Sequence, residues 1–223
     1  RLEGLMLKKI FILFRIARRL AISDAVKIIS RIHQPPLIIR VLLNIFAFSF
    51  SKKNDQTNNK SDEDKLCESI QGMGTTFIKL GQFLATRPDI IGEDVSKKLE
   101  KLQDRLPPFT MQEAKNILKE SLGNDNFKSI LNLSDPVAAA SIAQVHKAQI
   151  NENGVIKDVA IKILRPEIRK VFNEEIDALM LLAYIIQSTI TKTKRLKLVE
   201  VVFLFKEITN HEMDLRFEAA AAN

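Results

Sequence analysis

A lysine set inside an otherwise apolar, β-rich run constrains this chain more than any other feature. Val159-Ala160-Ile161-Lys162-Ile163-Leu164 reads as a strand with one cation in its interior. An isolated ammonium taken out of water is very costly, so the fold must bring an anion to Lys162. That anion is a ligand phosphate, a carboxylate, or both. Upstream, Ile142, Gln144, His146, Ala148 and Ile150 alternate with Ala143, Val145, Lys147 and Gln149, which predicts a second strand. Asn151-Glu152-Asn153-Gly154 supplies turn chemistry between the two, with Gly154 free to take positive φ. The small residues P-V-A-A-A-S from Pro136 to Ser141 read as a loop leading in. Residues 136–166 thus predict loop, strand, turn and strand.

The chain has 223 residues, 46% hydrophobic and 27% charged, enough to bury a real core as one large domain or two small ones. Its single cysteine, Cys67, excludes an internal disulfide and a cysteine-based zinc site, and fits a reducing compartment. His33, His146 and His211 are scattered, so no metal-ligand cluster is expected and both strand and helix histidines read as structural. Ser141 near His146 makes no triad without a positioned carboxylate.

The net charge of +7 is uneven: residues 1–53 hold eleven Lys and Arg against Glu3 and Asp24, a net +9, which leaves −2 for the rest. Interleaving with Leu, Ile and Phe suits an anionic lipid surface better than nucleic acid, and no nucleic-acid partner is expected. The runs from Met6 and from Leu37 to Phe50 are interrupted by basic residues and too short to span a bilayer. Two readings fit: helices lying peripherally on the cytoplasmic face of a membrane, or ordinary amphipathic helices packed on the domain. The polar stretch Ser51 to Lys65 reads as a linker. The expected organisation is 1–50 membrane-facing helices, 51–65 linker, 66–126 helical subdomain and 127–223 a sheet-containing lobe.

Within the helical subdomain, Leu66, Ile70, Met73, Phe77, Leu80 and Leu84 recur at helical spacing and predict one helix ending at Arg87-Pro88-Asp89. Gly74 and Gly81 share a side of it, where a second backbone could approach. A further helix is expected over Glu93 to Arg105, and another from the capping-box pattern Thr110-Met111-Gln112-Glu113 to about Gly123. Phe127 to Leu133 reads as a first strand. Long helices follow over Glu167 to Thr191 and Leu196 to about Asn210, separated by the basic break Lys192-Thr193-Lys194-Arg195.

Four motifs then fall in a recognisable order: Lys79-Leu80-Gly81-Gln82; Ala138-Ala139-Ala140-Ser141 with Gln144-Val145-His146; Val159-Ala160-Ile161-Lys162; and Glu212-Met213-Asp214 with Glu218. In this order they resemble the UbiB family of atypical, protein-kinase-like proteins needed for ubiquinone (coenzyme Q) biosynthesis. The resemblance implies an α+β fold: a helical N-terminal extension, then a kinase-like small lobe of antiparallel sheet and helices. It implies ATP or ADP with Mg²⁺ as cofactor, and ubiquinone-biosynthesis enzymes or lipid intermediates as partners.

Residue by residue, the resemblance makes Lys162 the phosphate-contacting lysine and Glu218 its ion-pair partner. Ala138, Ala139, Ala140 and Ser141 stand where kinases carry a glycine-rich loop, and their Cβ atoms obstruct close approach of phosphate. Lys79, Gly81 and Gln82 match a K-x-G-Q helix that lids the site, with Glu212 and Asp214 as the E-x-D that meets it. Kinase chemistry also needs a catalytic-loop Asp and Asn and a D-x-G aspartate for Mg²⁺. These, the large lobe and the family's C-terminal membrane helices fall outside the sequence, so no complete catalytic set and no metal site is expected within it. Two other readings stand beside this one. A non-catalytic, membrane-peripheral assembly module is one; a component of a polyprenylphenol hydroxylation step is the other, although Gly72-x-Gly74 gives no dinucleotide fingerprint.

Overall fold

The computed structural model describes Phe11, Ile12, Phe14 and Arg15, and residues 62–221 except 103, 105, 153 and 190. The two N-terminal helices expected before residue 51 therefore lie almost wholly outside the described residues. The chain forms two compact units, one of residues 1–103 and 171–210, the other of 104–170 and 211–223.

The first unit is helical. It contains α1 (Asp62–Met73), α2 (Thr75–Ala85), the short α3 (Pro88–Ile91) and α4 (Glu93–Leu99). The single helix expected across Leu66 to Thr86 is two helices, because Gly74 takes φ 106, a value that an L side chain rarely adopts. Its carbonyl restarts the ladder by accepting from the N–H of Phe77 and Ile78. Leu66, Val95 and Leu99 form a buried cluster, with Ile70, Leu84, Ala85 and Ile91 packed on it. Gly81 is buried where a Cβ would come within 2.6 Å of the Leu102 side chain, so the glycine reads as close packing of α2 on that residue.

Most of α6 (Ile168–Thr189) and α7 (Leu198–Glu212) also belongs to this unit, joined by a 3₁₀ turn over Thr191–Leu196 that contains the basic break. Phe205 is buried and meets Phe83 and Phe172, its ring centroids 5.5 and 5.7 Å from theirs. Among the first residues, Ile12 is buried while Phe11 stays exposed, and the Arg15 guanidinium lies 3.5 Å from the buried Glu175 carboxylate.

The second unit carries the sheet: β1 (Ile130–Leu131), β2 (Pro136–Ala139), β3 (Ala143–Glu152) and β4 (Val155–Leu164), all antiparallel. β1 and β2 pair with opposite ends of β3, and β4 pairs with β3 along its full length, from Ala143↔Leu164 to Glu152↔Val155. The fold is α+β with a small four-stranded antiparallel sheet, as expected. Several boundaries differ from the sequence reading; in the first unit α4 stops at Leu99, short of the expected Arg105. Phe127 ends a helix rather than opening a strand, and Ala138 and Ala139 are in β2 rather than in a loop.

Helix α5 (Met111–Lys128) starts with a complete capping box: Thr110 Oγ1 accepts from the Glu113 N–H, and the Glu113 carboxylate accepts from the Thr110 N–H. Hydrogen bonds from the Thr110 hydroxyl and then from its N–H hold the Glu113 carboxyl below the usual carboxylate range. Gly123, with φ 77, kinks α5 instead of ending it. Ala114 and Leu118 on this helix cluster with Ile163 of β4, and Ile161, Ile117 and Phe127 pack around them. Removing the cap should loosen this attachment. Thr110→Ala is expected to lower the unfolding free energy by about 1 kcal/mol, read as a lower urea midpoint with an unchanged m-value.

Candidate functional site

Strand alternation decides which way Lys162 points. Ile161 and Ile163 pack against α5, so Lys162 between them lies on the opposite face of β4. What reads in sequence as a fully buried apolar run is a half-buried strand, and the lysine side chain keeps 33% of its exposure. Its Nζ lies 2.6 Å from Glu218 Oε2, and the glutamate side chain is 58% exposed. The anion that the sequence demands for Lys162 is therefore a carboxylate of the chain itself. An ion pair this open contributes about 0–1 kcal/mol to stability, so its consequence is to hold and orient the ammonium.

Glu218 is placed by a short helix, α8 (Leu215–Ala221), that several contacts set in position. Met213, two residues before it, is buried, and its carbonyl accepts from Arg169 Nη2. Asp214 then caps the helix, its carboxylate accepting from the Arg216 N–H at 3.2 Å. The same carboxylate takes the Arg216 guanidinium in two hydrogen bonds, from Nε at 2.8 Å and Nη2 at 2.5 Å. His211 stacks on Phe217 with ring centroids 4.4 Å apart. Hydrogen bonding to Arg216, helped by the charges of Arg216 and Arg169, holds the Asp214 carboxyl down to about 2.

The alanine segment closes on itself. After β2 the turn runs through Ala140, Ser141 and Ile142 into β3. Ala140 N–H donates to Ala143 O at 2.8 Å, and the buried Ser141 donates its N–H to Asp104 Oδ1 at 2.9 Å. Arg165, one residue past β4, donates from Nε and Nη2 to Ala140 O at 3.0 and 2.8 Å. Its Nη2 also reaches Pro107 O at 3.0 Å, and its backbone N–H donates to Ile142 O. Burial pushes the Arg165 guanidinium down, and the nearby Asp104 charge opposes that shift.

A second set of bonds ties the strap of residues 104–109, which carries Asp104 and Pro107, to β3. Gln144 Oε1 accepts from the Phe109 N–H at 2.9 Å, which fixes the amide so that Nε2 faces His146 Nε2 at 2.9 Å. His146 Nδ1 donates to Ser134 O at 2.7 Å. Both nitrogens of this buried histidine are thus used in holding the sheet together, consistent with its structural reading.

Of the residues singled out from the sequence, Lys162 and Glu218 come together, and Ala138, Ala139, Ala140 and Ser141 form the adjoining strand and turn. Glu212 ends α7 and Asp214 caps α8 in this same unit. Lys79, Gly81 and Gln82 lie on α2 in the other unit. That unit also has an open cavity of about 350 Å³, with Arg87, Ile90, Arg195, Lys197, Glu200 and Leu204 in its wall. Asp104 and Arg165 escaped the sequence reading because an isolated Asp or Arg in a loop has no periodicity to mark it, and Arg169 because a polar residue in the first turn of a helix announces no particular partner. The capping role of Asp214, directly before a helical run, was open to reading.

Residues 101–223 match the ABC1 atypical kinase-like domain. The match includes Asp104, Lys162, Arg165 and Glu218 and begins after the Lys79–Gln82 segment. A probable protein kinase UbiB of Marinobacter nauticus is 38% identical over 161 residues, covering 72% of this chain and 29% of the relative. The proteins of the same description from Azotobacter vinelandii and Vibrio cholerae are 37% and 36% identical, covering 70% and 75% of the chain. The chain spans less than a third of the length of these curated relatives, 28% and 31% in the latter two.

The Asp214 carboxyl gives a direct check on the geometry around Glu218. Because its pKa is lowered in the fold, its contribution to stability is complete above the ordinary carboxylate range and is lost as pH falls towards about 2. A carbon-detected NMR titration should place the Asp214 midpoint near that value, and Arg216→Gln should return it towards the ordinary range. An unchanged midpoint in the variant would remove Arg216 as the cause.

Proposed function

The chain belongs to the UbiB family of ABC1 atypical kinase-like proteins, and on that premise we propose that it forms the nucleotide-facing small lobe of a UbiB-like kinase or ATPase serving ubiquinone biosynthesis. The observation that supports this most is the Lys162–Glu218 pair, a strand lysine held by a helix glutamate at 2.6 Å. An ammonium fixed in this way, one-third exposed, has donors left for a phosphate oxygen. The groups present fit the phosphates of ATP or ADP at Lys162. When bound, the nucleotide with Mg²⁺ would supply the phosphoryl group; the chain's own contribution is to hold phosphate at Nζ and to orient that nitrogen through Glu218. Among the described residues no group of three or more His, Cys, Asp or Glu is placed to hold a metal ion.

The lid reading extends this proposal: Lys79 and Gln82 on α2 and Glu212 before α8 carry the charges and amide that would restrict a bulky protein substrate. A small or lipid-like substrate follows. Among the described residues no helix is long and apolar enough to cross a membrane. The net +9 of residues 1–53, interleaved with apolar side chains, supports peripheral attachment to an anionic membrane surface on its cytoplasmic face.

Two measurements test these statements. Calorimetric titration with Mg²⁺-ADP should show binding that Lys162→Met weakens about tenfold, the size of one charge-assisted hydrogen bond, while Glu218→Gln weakens it less. Equal affinity in wild type and Lys162→Met would remove the nucleotide assignment. In flotation assays the chain should bind vesicles containing phosphatidylserine and release as salt rises from 0.05 to about 0.5 M, because the Debye length shrinks several-fold. Equal binding to purely zwitterionic vesicles would overturn the charge-based attachment.

A further inference from the structure

A loop that binds phosphate does so by leaving backbone N–H groups without protein partners and aimed at the ligand. The alanine turn does the reverse. Ala140 N–H is spent on Ala143 O, and Ser141 N–H is spent on the Asp104 carboxylate. An aspartate oxygen at 2.9 Å from a turn N–H is chemically what a phosphate oxygen would be there: an anionic acceptor. A phosphate reaching the turn would have to displace that carboxylate while repelled by its charge.

Arg165 keeps the arrangement in place from both sides. It binds Ala140 O with two nitrogens, fixing the peptide plane that also contains the Ser141 N–H. It reaches Leu106 O and Pro107 O as well, two and three residues beyond Asp104, so one guanidinium ties the turn to the strap that carries the carboxylate. Its positive charge near Asp104 favours the ionised carboxylate in the position observed. The bulk of the alanine methyls is therefore not the whole reason for the turn to refuse phosphate. Even without those methyls, the N–H groups of Ala140 and Ser141 are already bonded within the chain.

We propose that Asp104 is a built-in phosphate mimic, clamped by Arg165, that shuts the alanine turn to anions and so determines how the site accepts a nucleotide: through Lys162 rather than through the turn. The inference rests on the assignment of Lys162 as the phosphate contact. It adds a specificity-determining residue outside the motifs that carry the family resemblance.

The test uses the full chain, inorganic pyrophosphate as a phosphate-only probe, and the Ser141 amide resonance as reporter. In wild type, pyrophosphate should leave that resonance unmoved. In Asp104→Ala it should shift the resonance and bind about tenfold more tightly, the gain expected from one donor freed for an anion. Asp104→Asn keeps an acceptor but loses the charge, so an intermediate gain is expected; this variant also serves if Asp104→Ala does not fold. A Ser141 shift in wild type equal to that in the variants, or no gain in either variant, overturns the proposal. Lys162→Met separates the two assignments. If it leaves Mg²⁺-ADP affinity unchanged while Asp104→Ala still opens Ser141 to pyrophosphate, the nucleotide reading at Lys162 fails and the phosphate-mimic role of Asp104 survives. If Lys162→Met weakens Mg²⁺-ADP and Asp104→Ala changes nothing, the reverse holds.

Discussion

The ten-pair register between β3 and β4 is the constraint on which the sheet-containing unit depends. Because side chains alternate, that one register puts Ile161 and Ile163 on α5 and turns Lys162 to the other face. It sets Val145 opposite Lys162, and Gln144 and His146 beside it on β3, where both are buried and hydrogen-bonded to the strap and to Ser134. A slip of one residue would drive the ammonium into the Ala114–Leu118 cluster and expose both isoleucines. The cost of burying an unpaired charge makes that alternative untenable.

On this frame the polar groups of the site are satisfied almost wholly by the chain itself. Arg165 is the most heavily used of them, with acceptors at Ala140, Leu106 and Pro107 and the Phe109 ring 5.9 Å away. Such a network stabilises little per bond, about 1 kcal/mol each net, but leaving any one partner unmade is expensive in a buried setting. The turn is consequently rigid and closed, whereas the Lys162–Glu218 pair beside it is open to water and weak. The contrast matters for function. On the proposed reading, a ligand at the turn would have to displace protein hydrogen bonds, whereas one at the pair would leave the fold intact.

The helix that delivers Glu218 shows how a short element is held without a core of its own. None of its residues from Leu215 to Ala221 is buried. Its position comes from Met213, buried one residue before the cap, from Arg169 bound to the Met213 carbonyl, and from Asp214 capping the first turn. Asp214 belongs to the motif whose resemblance suggests a partner on the K-x-G-Q helix. In the sheet-containing unit its carboxylate is engaged by Arg216, two residues along the chain.

Local chemistry was legible in the sequence. Gly154, Thr110 with Glu113, and the alternation through Val145 and Ile163 each follow from rules that act over a few residues, and they gave the hairpin and the capped helix, while the α+β class came with the resemblance. An anionic partner for Lys162, phosphate or carboxylate, was demanded by desolvation, and only the resemblance pointed to Glu218, 56 residues away. Three things were decided by tertiary structure alone. Gly74 broke a periodic helix because its backbone took a conformation that periodicity does not encode. Lys162 kept a third of its exposure because α5 covers one face of β4 and not the other. Asp104 met the Ser141 N–H across 37 residues, a meeting no spacing announces, because acceptor and donor are chosen by where the chain returns in space.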